Sequence, residues 1–418
     1  MAAVAMLGLA NPGVGAPAGI SLVELPGHPT ARVEIVLPYP AGQEVLAHYT
    51  EHLAWLNAMG ATVRDADRHS NAWTNAYAVG YWLSGAPDDL PELLRALSGV
   101  FDPLDLPQDF AAEERGILLR EYDHRMADNP DAKADAALDA FLYAGNRMAA
   151  SLIGTPAAIG ALDYDAARAL HAETHRPGNA RLVVIGDIRP RQVRRALRQA
   201  GWPRATGDGA ATLPPAFDLA APDRIVLRDP EPDAAPRLIW RKVVTLPEPM
   251  PFDLLEAQAA LLGDILYSNL PGGLAGPLRF DAAIASRFDV DVWPIDADNV
   301  EIGFRAAPDR GVSLTDLQAA FEAALAASAA AGIPQATYDR ALARFDFWPD
   351  WNDPAETAAW MADYMLDRVS ALREPLAERA LRHLDRGLSL ETTNALLRQL
   401  AGDGRTAIAF IGPEDSFE

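Results

Sequence analysis

Residues 44–60 read EVLAHYTEHLAWLNAMG, with no Pro and no Gly before Gly60. Ala and Leu recur through the stretch, and the composition predicts a helix. Inside it His48-Tyr49-Thr50-Glu51-His52 forms an H-x-x-E-H pattern. Side chains four apart on a helix lie one turn above each other. His48 and His52 therefore aim their imidazoles at one point, as two ligands of one metal must. Glu51 shares that side and can reach a water on the metal without being a ligand. Zinc accepts neutral imidazole and carboxylate, and a catalytic zinc keeps three protein ligands and a water. It lowers the pKa of that water to about 7, and a neighbouring carboxylate can take the proton. Such a pattern arises by chance in roughly one chain in a hundred. The competing reading is two half-buried helix histidines beside a solvated Glu.

Composition narrows the setting. The 418 residues suit two domains of about 200 each. Half the residues are apolar and 22% are charged, ordinary for a soluble globular protein. No apolar run is long enough to cross a bilayer. The net charge of -22 argues against nucleic acid, whose phosphates would be repelled. It is compatible with basic peptides, but acidic surfaces mostly confer solubility. There is no cysteine, so disulfides and thiolate metal sites are excluded and His, Asp and Glu must hold any zinc. The first 19 residues are small, apolar and uncharged, like the remains of a secretory leader without its basic start. With Lys133 and Lys242 its lysines among much Ala, Arg, Asp and Pro, the chain reads as the product of a GC-rich bacterial genome. The expected compartment is the periplasm or the cytoplasm, the periplasm placed first.

Taken in order, residues 20–25 and 31–37 read as strands around a Pro-Gly turn, and the motif helix follows. Residues 71–84, NAWTNAYAVGYWLS, are rich in aromatics and Thr and read as one strand. Residues 87–100 form an amphipathic helix, and 109–143 a long helical run broken at Asp128-Asn129-Pro130. That run holds Glu114 and Glu121, two turns apart on one face. A carboxylate from it could complete a His-His-carboxylate site, although a helical Glu is most often solvated. A helix at 155–170, a strand at 181–186 and a helix at 189–201 close the first half. The Pro-, Gly- and Ala-rich stretch 206–222 reads as a linker between domains at 1–205 and 223–418. The second half repeats the grammar. It has strands at 224–227, 237–246, 284–293, 300–306 and 406–412, and helices at 251–267, 313–331, 334–347, 354–370 and 390–401. RLVVIG at 181–186 and TAIAFIG at 406–412 occupy matching places and hint at duplication.

These features together resemble the M16 metallopeptidases (insulinase, pitrilysin and mitochondrial processing peptidase), in particular the short M16B type, the inverted zincins with H-x-x-E-H. His48, Glu51 and His52 match the zinc motif. Glu121 falls where the family places its distal ligand, in an E-x6-E pair whose supporting acid is matched by Glu114. Asn71-Ala72-Trp73-Thr74, with Tyr81, look like the N-A-x-T strand beside the family's active site. The resemblance covers nearly the whole chain and is specific in the first half. It implies an α+β architecture of two homologous LuxS/MPP-like domains, each a mostly antiparallel sheet backed by helices. It also implies bound Zn2+, Glu51 as general base, and endopeptidase activity on short unfolded peptides taken up along residues 71–75.

There is one departure. The family's second domain carries an Arg and a Tyr that steady the substrate carbonyl. Arg279 fits the Arg, but the Tyr position holds Ser286 or, with a small shift, Phe288, and Phe cannot donate a hydrogen bond to an oxyanion. The expected partner is therefore a second M16-like subunit that supplies an Arg/Tyr pair, with a homodimer as the other arrangement. Two further readings stand beside the peptidase. One is a dedicated maturation peptidase for one precursor, such as a peptide-derived cofactor; the other is a non-catalytic scaffold subunit. Elsewhere, His171 and His175 read as packing or surface residues and His124 as solvated. The aromatics Phe345, Phe347, Trp348, Trp351 and Trp360 read as core between helices.

Overall fold

The computed structural model describes residues 4–7, 19–60, 69–203 and 217–418. Most of the candidate leader and residues 206–216 of the expected linker lie outside them. The first half runs β1 (Val4–Leu7), β2 (Gly19–Glu24), β3 (Ala31–Pro38), α1 (Glu44–Met59), β4 (Ser70–Thr74), β5 (Ala78–Gly85), α2 (Leu90–Leu97), α3 (Gln108–Tyr122), α4 (Pro130–Leu142), α5 (Pro156–Gly160), α6 (Tyr164–Thr174), β6 (Arg181–Gly186) and α7 (Pro190–Ala200). The second runs β7 (Arg224–Pro230), β8 (Arg237–Thr245), α8 (Phe252–Tyr267), β9 (Ala285–Pro294), β10 (Asn299–Pro308), α9 (Leu314–Ala331), α10 (Gln335–Leu342), α11 (Pro354–Ser370), α12 (Glu378–Leu381), α13 (Leu390–Ala401) and β11 (Arg405–Gly412).

The strands form two sheets, ordered β1-β2-β6-β3-β5-β4 and β7-β11-β8-β10-β9. Apart from β1, the orders are equivalent strand for strand. In each sheet the last strand inserts between the first two, parallel to one and antiparallel to the other. All other pairs are antiparallel. The matching sequences RLVVIG and TAIAFIG are these inserted strands, and every residue of both is buried. Each ends on a glycine with positive φ, Gly186 (147°) and Gly412 (143°). A Cβ there would come within 3.0 Å of the Ala31 backbone in the first case and 2.8 Å of the Pro236 backbone in the second. Glycine is needed at both places for the same reason. The α+β architecture of two equivalent, mostly antiparallel sheets backed by helices is thus the one observed.

Two compact units result, and neither is continuous in sequence. One comprises Met1–His124, Ala150–Pro215 and Pro349–Ala380; the other Arg125–Ala149, Ala216–Trp348 and Leu381–Glu418. In the first unit Ala31, Val33, Ile35 and Leu37 of β3 face the core shared with α1, α2, α3, α6 and α7, while α11 packs on β2 and β6. In the second unit the main core lies under α8, α9 and α13. There α4 covers the other face, with Leu138 and Leu142 against Ile239, Val243 and Ala407. Each half of the chain thus contributes a helix to the other half's sheet.

Local chemistry places the boundaries. Asn129 caps α4 by accepting from the Ala132 N–H, with Pro130 opening the helix. Ser313, Asp353 and Ser389 cap α9, α11 and α13 in the same way. Two predicted elements are divided. The strand expected at 71–84 is a hairpin, because Asn75 Oδ1 accepts from the N–H groups of both Tyr77 and Ala78 and turns the chain. The helix expected at 155–170 becomes α5 and α6, because Asp163 caps a new helix by accepting from the Ala166 N–H.

Candidate metal centre

The site is assembled by α1 and α3. α1 is buried on most of its circumference, including the polar residues His48, Thr50 and Glu51. Thr50 donates back to the Leu46 carbonyl (2.7 Å) and needs no outside partner. Tyr49 donates to the Ala111 carbonyl of α3 (2.7 Å), which ties the two helices together. Arg115 of α3 donates to the Leu162 carbonyl (2.7 Å). The acidic side of α3 is thereby turned toward the histidines.

His48 Nε2 lies 3.6 Å and His52 Nε2 3.9 Å from Glu121 Oε2. The two imidazoles stand edge to face, their centroids 5.0 Å apart. Their donor atoms and that of Glu121 all lie within 4.8 Å of one another, the one such group of three among the described residues. The His–Glu separations are too long for hydrogen bonds but suit three atoms converging on a common cation. Two imidazole nitrogens and a carboxylate oxygen, with no thiolate, form a donor set that zinc accepts. The far nitrogen of His52 is engaged as well: Nδ1 donates to Glu114 Oε2 at 3.2 Å. That leaves Nε2 as the lone-pair atom, turned toward Glu121.

Glu51 is 5% exposed. Its carboxylate accepts from Thr74 Oγ1 at 3.3 Å. Burial pushes its pKa up to about 7, against the lowering effect of His52 and the Thr74 hydrogen bond. A carboxyl poised there can both take and return a proton near neutrality. Burial alone would lower the pKa of His52, but its hydrogen bond to Glu114 and the charges of Glu51, Glu114 and Glu121 outweigh it and raise it. Three carboxylates around two imidazoles make the centre acidic, as a site for a dication needs to be.

The other expected residues are dispersed. Thr74 faces α1 through its bond to Glu51, and Ala72 packs against the same core. Asn71 is exposed on β4. Trp73 donates from Nε1 to Glu34 at 2.9 Å. Tyr81 is fully buried, its hydroxyl donating to His175 Nε2 (2.8 Å), which places it in the core. His171 and His175 are buried and stacked 4.2 Å apart, and His124 is exposed. Arg279 belongs to the second unit, its guanidinium 5.7 Å from the ring of Phe280. Nearby, Ser286 donates to the Ala307 carbonyl. Phe288 is locked into the core against Phe304, their centroids 5.6 Å apart. Sequence reasoning missed Glu34, a buried acid in the apolar strand ARVEIVLP. A charge at that place was the available signal.

No protein-family model and no curated protein matches the chain. Solved structures do match its fold. A protease from Helicobacter pylori superposes with a TM-score of 0.75 over 99% of this chain and 100% of its own, at 16% identity. A putative M16-like peptidase from Alicyclobacillus acidocaldarius gives 0.74 over 99% and 98%, also at 16% identity. A peptidase M16 inactive domain from Pseudomonas fluorescens gives 0.71 over 99% and 98%, at 15% identity. The fold is that of the M16-like peptidases, and it occurs with and without activity.

Proposed function

We propose, for a chain with the M16-like peptidase fold, that it is a zinc-dependent endopeptidase acting on short unfolded peptides. The observation that carries this reading is the convergence of His48, His52 and Glu121, with the buried Glu51 beside them. These three would hold the metal. Bound zinc supplies Lewis acidity and an acidified water, with a pKa of about 7. Glu51 takes the proton of the attacking water and returns it to the leaving amine, while Thr74 holds the carboxylate in place. Glu114 fixes the tautomer and direction of His52. β4 pairs only with β5 among the described residues, so its other side can accept an extended peptide through backbone hydrogen bonds. Such binding recognises any unfolded segment.

The inactive relative makes a scaffold the rival reading. The complete ligand set here favours the enzyme. Because Phe288 is packed into the core and offers no hydroxyl, a second M16-like subunit bearing an Arg/Tyr pair remains part of the proposal, with a periplasmic or cytoplasmic setting. Action on a single precursor is the narrower version of the same activity. The experiment is Glu51→Gln. It is expected to keep about one zinc per chain by metal analysis while cleavage of an unstructured peptide falls by at least about a hundredfold. Persistent cleavage would remove Glu51 from its role, and a wild-type chain without zinc affinity would favour the scaffold.

A further inference from the structure

α11 ends in the first unit without a glycine. Leu372 takes the left-handed conformation there (φ 57°), which strains a residue with a Cβ, and it is 2% exposed. Its N–H bonds the Val369 carbonyl (3.0 Å), the Arg373 N–H reaches back to Arg368 (2.7 Å), and the Ala371 N–H bonds Asp367 (3.1 Å). In this way a helix satisfies its own last carbonyls. The carbonyl of Ser370 is met from elsewhere: Asn75 Nδ2 donates to it (2.9 Å). Just beyond, Arg181 of β6 donates to the Arg373 carbonyl (3.0 Å) and pairs with Glu374 (3.1 Å). The helix end is thus anchored to the sheet, and Asn75 is tied to that anchor. The same Asn75 builds the β4–β5 hairpin. Its Oδ1 accepts from the N–H groups of Tyr77 and Ala78 (2.8 Å each), its own N–H bonds the Ala78 carbonyl (3.0 Å), and its carbonyl accepts from the Tyr39 hydroxyl (2.6 Å). One residue earlier, Thr74 donates to Glu51 at 3.3 Å. That length is near the limit for a hydrogen bond, so a small shift of the hairpin breaks it.

We infer that Asn75 is a positioning residue for Glu51: by fastening the hairpin to the last turn of α11, it holds the Thr74 hydroxyl against the Glu51 carboxylate. The inference rests on the peptidase reading, which gives Glu51 its role, and adds that the carboxylate is aimed by a helix from the second half of the sequence. Asn75 acts through Thr74. A proton-transferring group displaced by about 1 Å loses up to about a hundredfold in rate. The pairing of β4 with β5 runs from Ser70 to Thr74 and does not use the Ser370 bond, so a peptide added along β4 keeps its affinity when that bond is cut.

The test is a double-mutant cycle on the zinc-loaded chain, with cleavage of an unstructured peptide as the readout. Asn75→Asp keeps the acceptor for Tyr77 and Ala78, loses the donor for Ser370, and sets a negative charge against that carbonyl. It should leave zinc content unchanged and KM within about twofold, while kcat falls about 10–100-fold. Thr74→Val, which removes the hydroxyl at constant shape, should do the same. The double variant should be no slower than the slower single one, because both substitutions cut one path. Losses that multiply, an unchanged kcat in Asn75→Asp, or a raised KM with kcat held each overturn the inference while leaving the peptidase standing. If Asn75→Asp does not fold, Asn75→Ser takes its place: its hydroxyl still accepts within a turn but is one atom too short to reach Ser370. If the wild type cleaves nothing, the peptidase reading falls. Amide hydrogen exchange of the zinc-free chain then decides the coupling. Asn75→Asp should speed exchange at least about threefold in both 71–78 and 371–374, and faster exchange in one segment or neither overturns it.

Discussion

His52 is held at both ends, one nitrogen on Glu114 and the other turned toward Glu121. A ligand fixed in this way loses little freedom when a cation arrives. Replacing Glu114 with Ala should therefore weaken zinc binding by about 10–100-fold, read by competition with a chelator of known affinity. Unchanged affinity would mean that α1 alone orients the ring. At this scale the pairing of the two candidate ligands was legible because helical spacing is local geometry: four residues bring His48 above His52 whatever surrounds them. Glu121 could be placed on the right helix but not at its distance, since that depends on the packing of α3 against α1. Tyr81 read as a site residue because its neighbours Asn71 to Thr74 do, and only the core showed its hydroxyl to be spent on His175.

α6 shows what burial does to an element. Its His171 donates from Nε2 to the Val100 carbonyl (2.9 Å), and His175 stands between Thr174 (2.9 Å) and Tyr81. Burial first, and His171 second, hold the His175 pKa well below 6.5, and burial lowers that of His171 too. The unfolded chain protonates these rings near pH 6.5 and the folded one only at lower pH. Their contribution to stability is thus complete above pH 6.5 and is lost as pH falls toward the folded values. Glu51 and His52, whose pKa values are raised, act in the opposite sense. The share of α6 is therefore the part of the stability-against-pH slope that differs between wild type and His175→Gln in urea unfolding between about pH 5 and 8 with chelator present. The variant should have the less positive slope. An unaltered slope would place the acid sensitivity elsewhere. The hairpin of β4 and β5 makes the complementary point. The run 71–84 reads as one strand by composition, yet one side-chain oxygen, Asn75 Oδ1, reverses it. Asn in the middle of an aromatic run was the sign.

For the whole molecule, the decisive feature is the traded helices. α4 sits on the second sheet through Arg241, which bonds Glu301 (2.5 Å) and Asp139 (2.7 Å). Tyr143, just past α4, donates to the same Glu301, and Arg305 pairs with Asp135 (2.6 Å). Glu301 is fully buried. Arg241→Ala would strand that carboxylate and should destabilise the second unit by about 3–5 kcal/mol in urea unfolding. Arg241→Met combined with Glu301→Leu should cost clearly less, because no charge is left unpaired. If the double variant is the weaker of the two, the network holds α4 by more than compensation of buried charge. In the first unit, Asn75 donates to the Ser370 carbonyl of α11 (2.9 Å), and Arg181 pairs with Glu374 (3.1 Å). The end of β4 beside Thr74 is thus held by a helix nearly three hundred residues later in the chain.

By itself the sequence determined what depends on neighbours along the chain: the helix that aligns His48, Glu51 and His52, the caps at Asn129, Asp353 and Ser389, and the repeated strand that ends each half. Hydrogen bonds and side-chain directions at that range follow from backbone geometry. The tertiary structure alone decided which helix covers which sheet, that Glu121 meets the two histidines, that Tyr81 is core, and that Asn75 meets the end of α11. Each of these depends on surfaces distant in sequence becoming neighbours, and residue types constrain such pairings only through the packing of the whole.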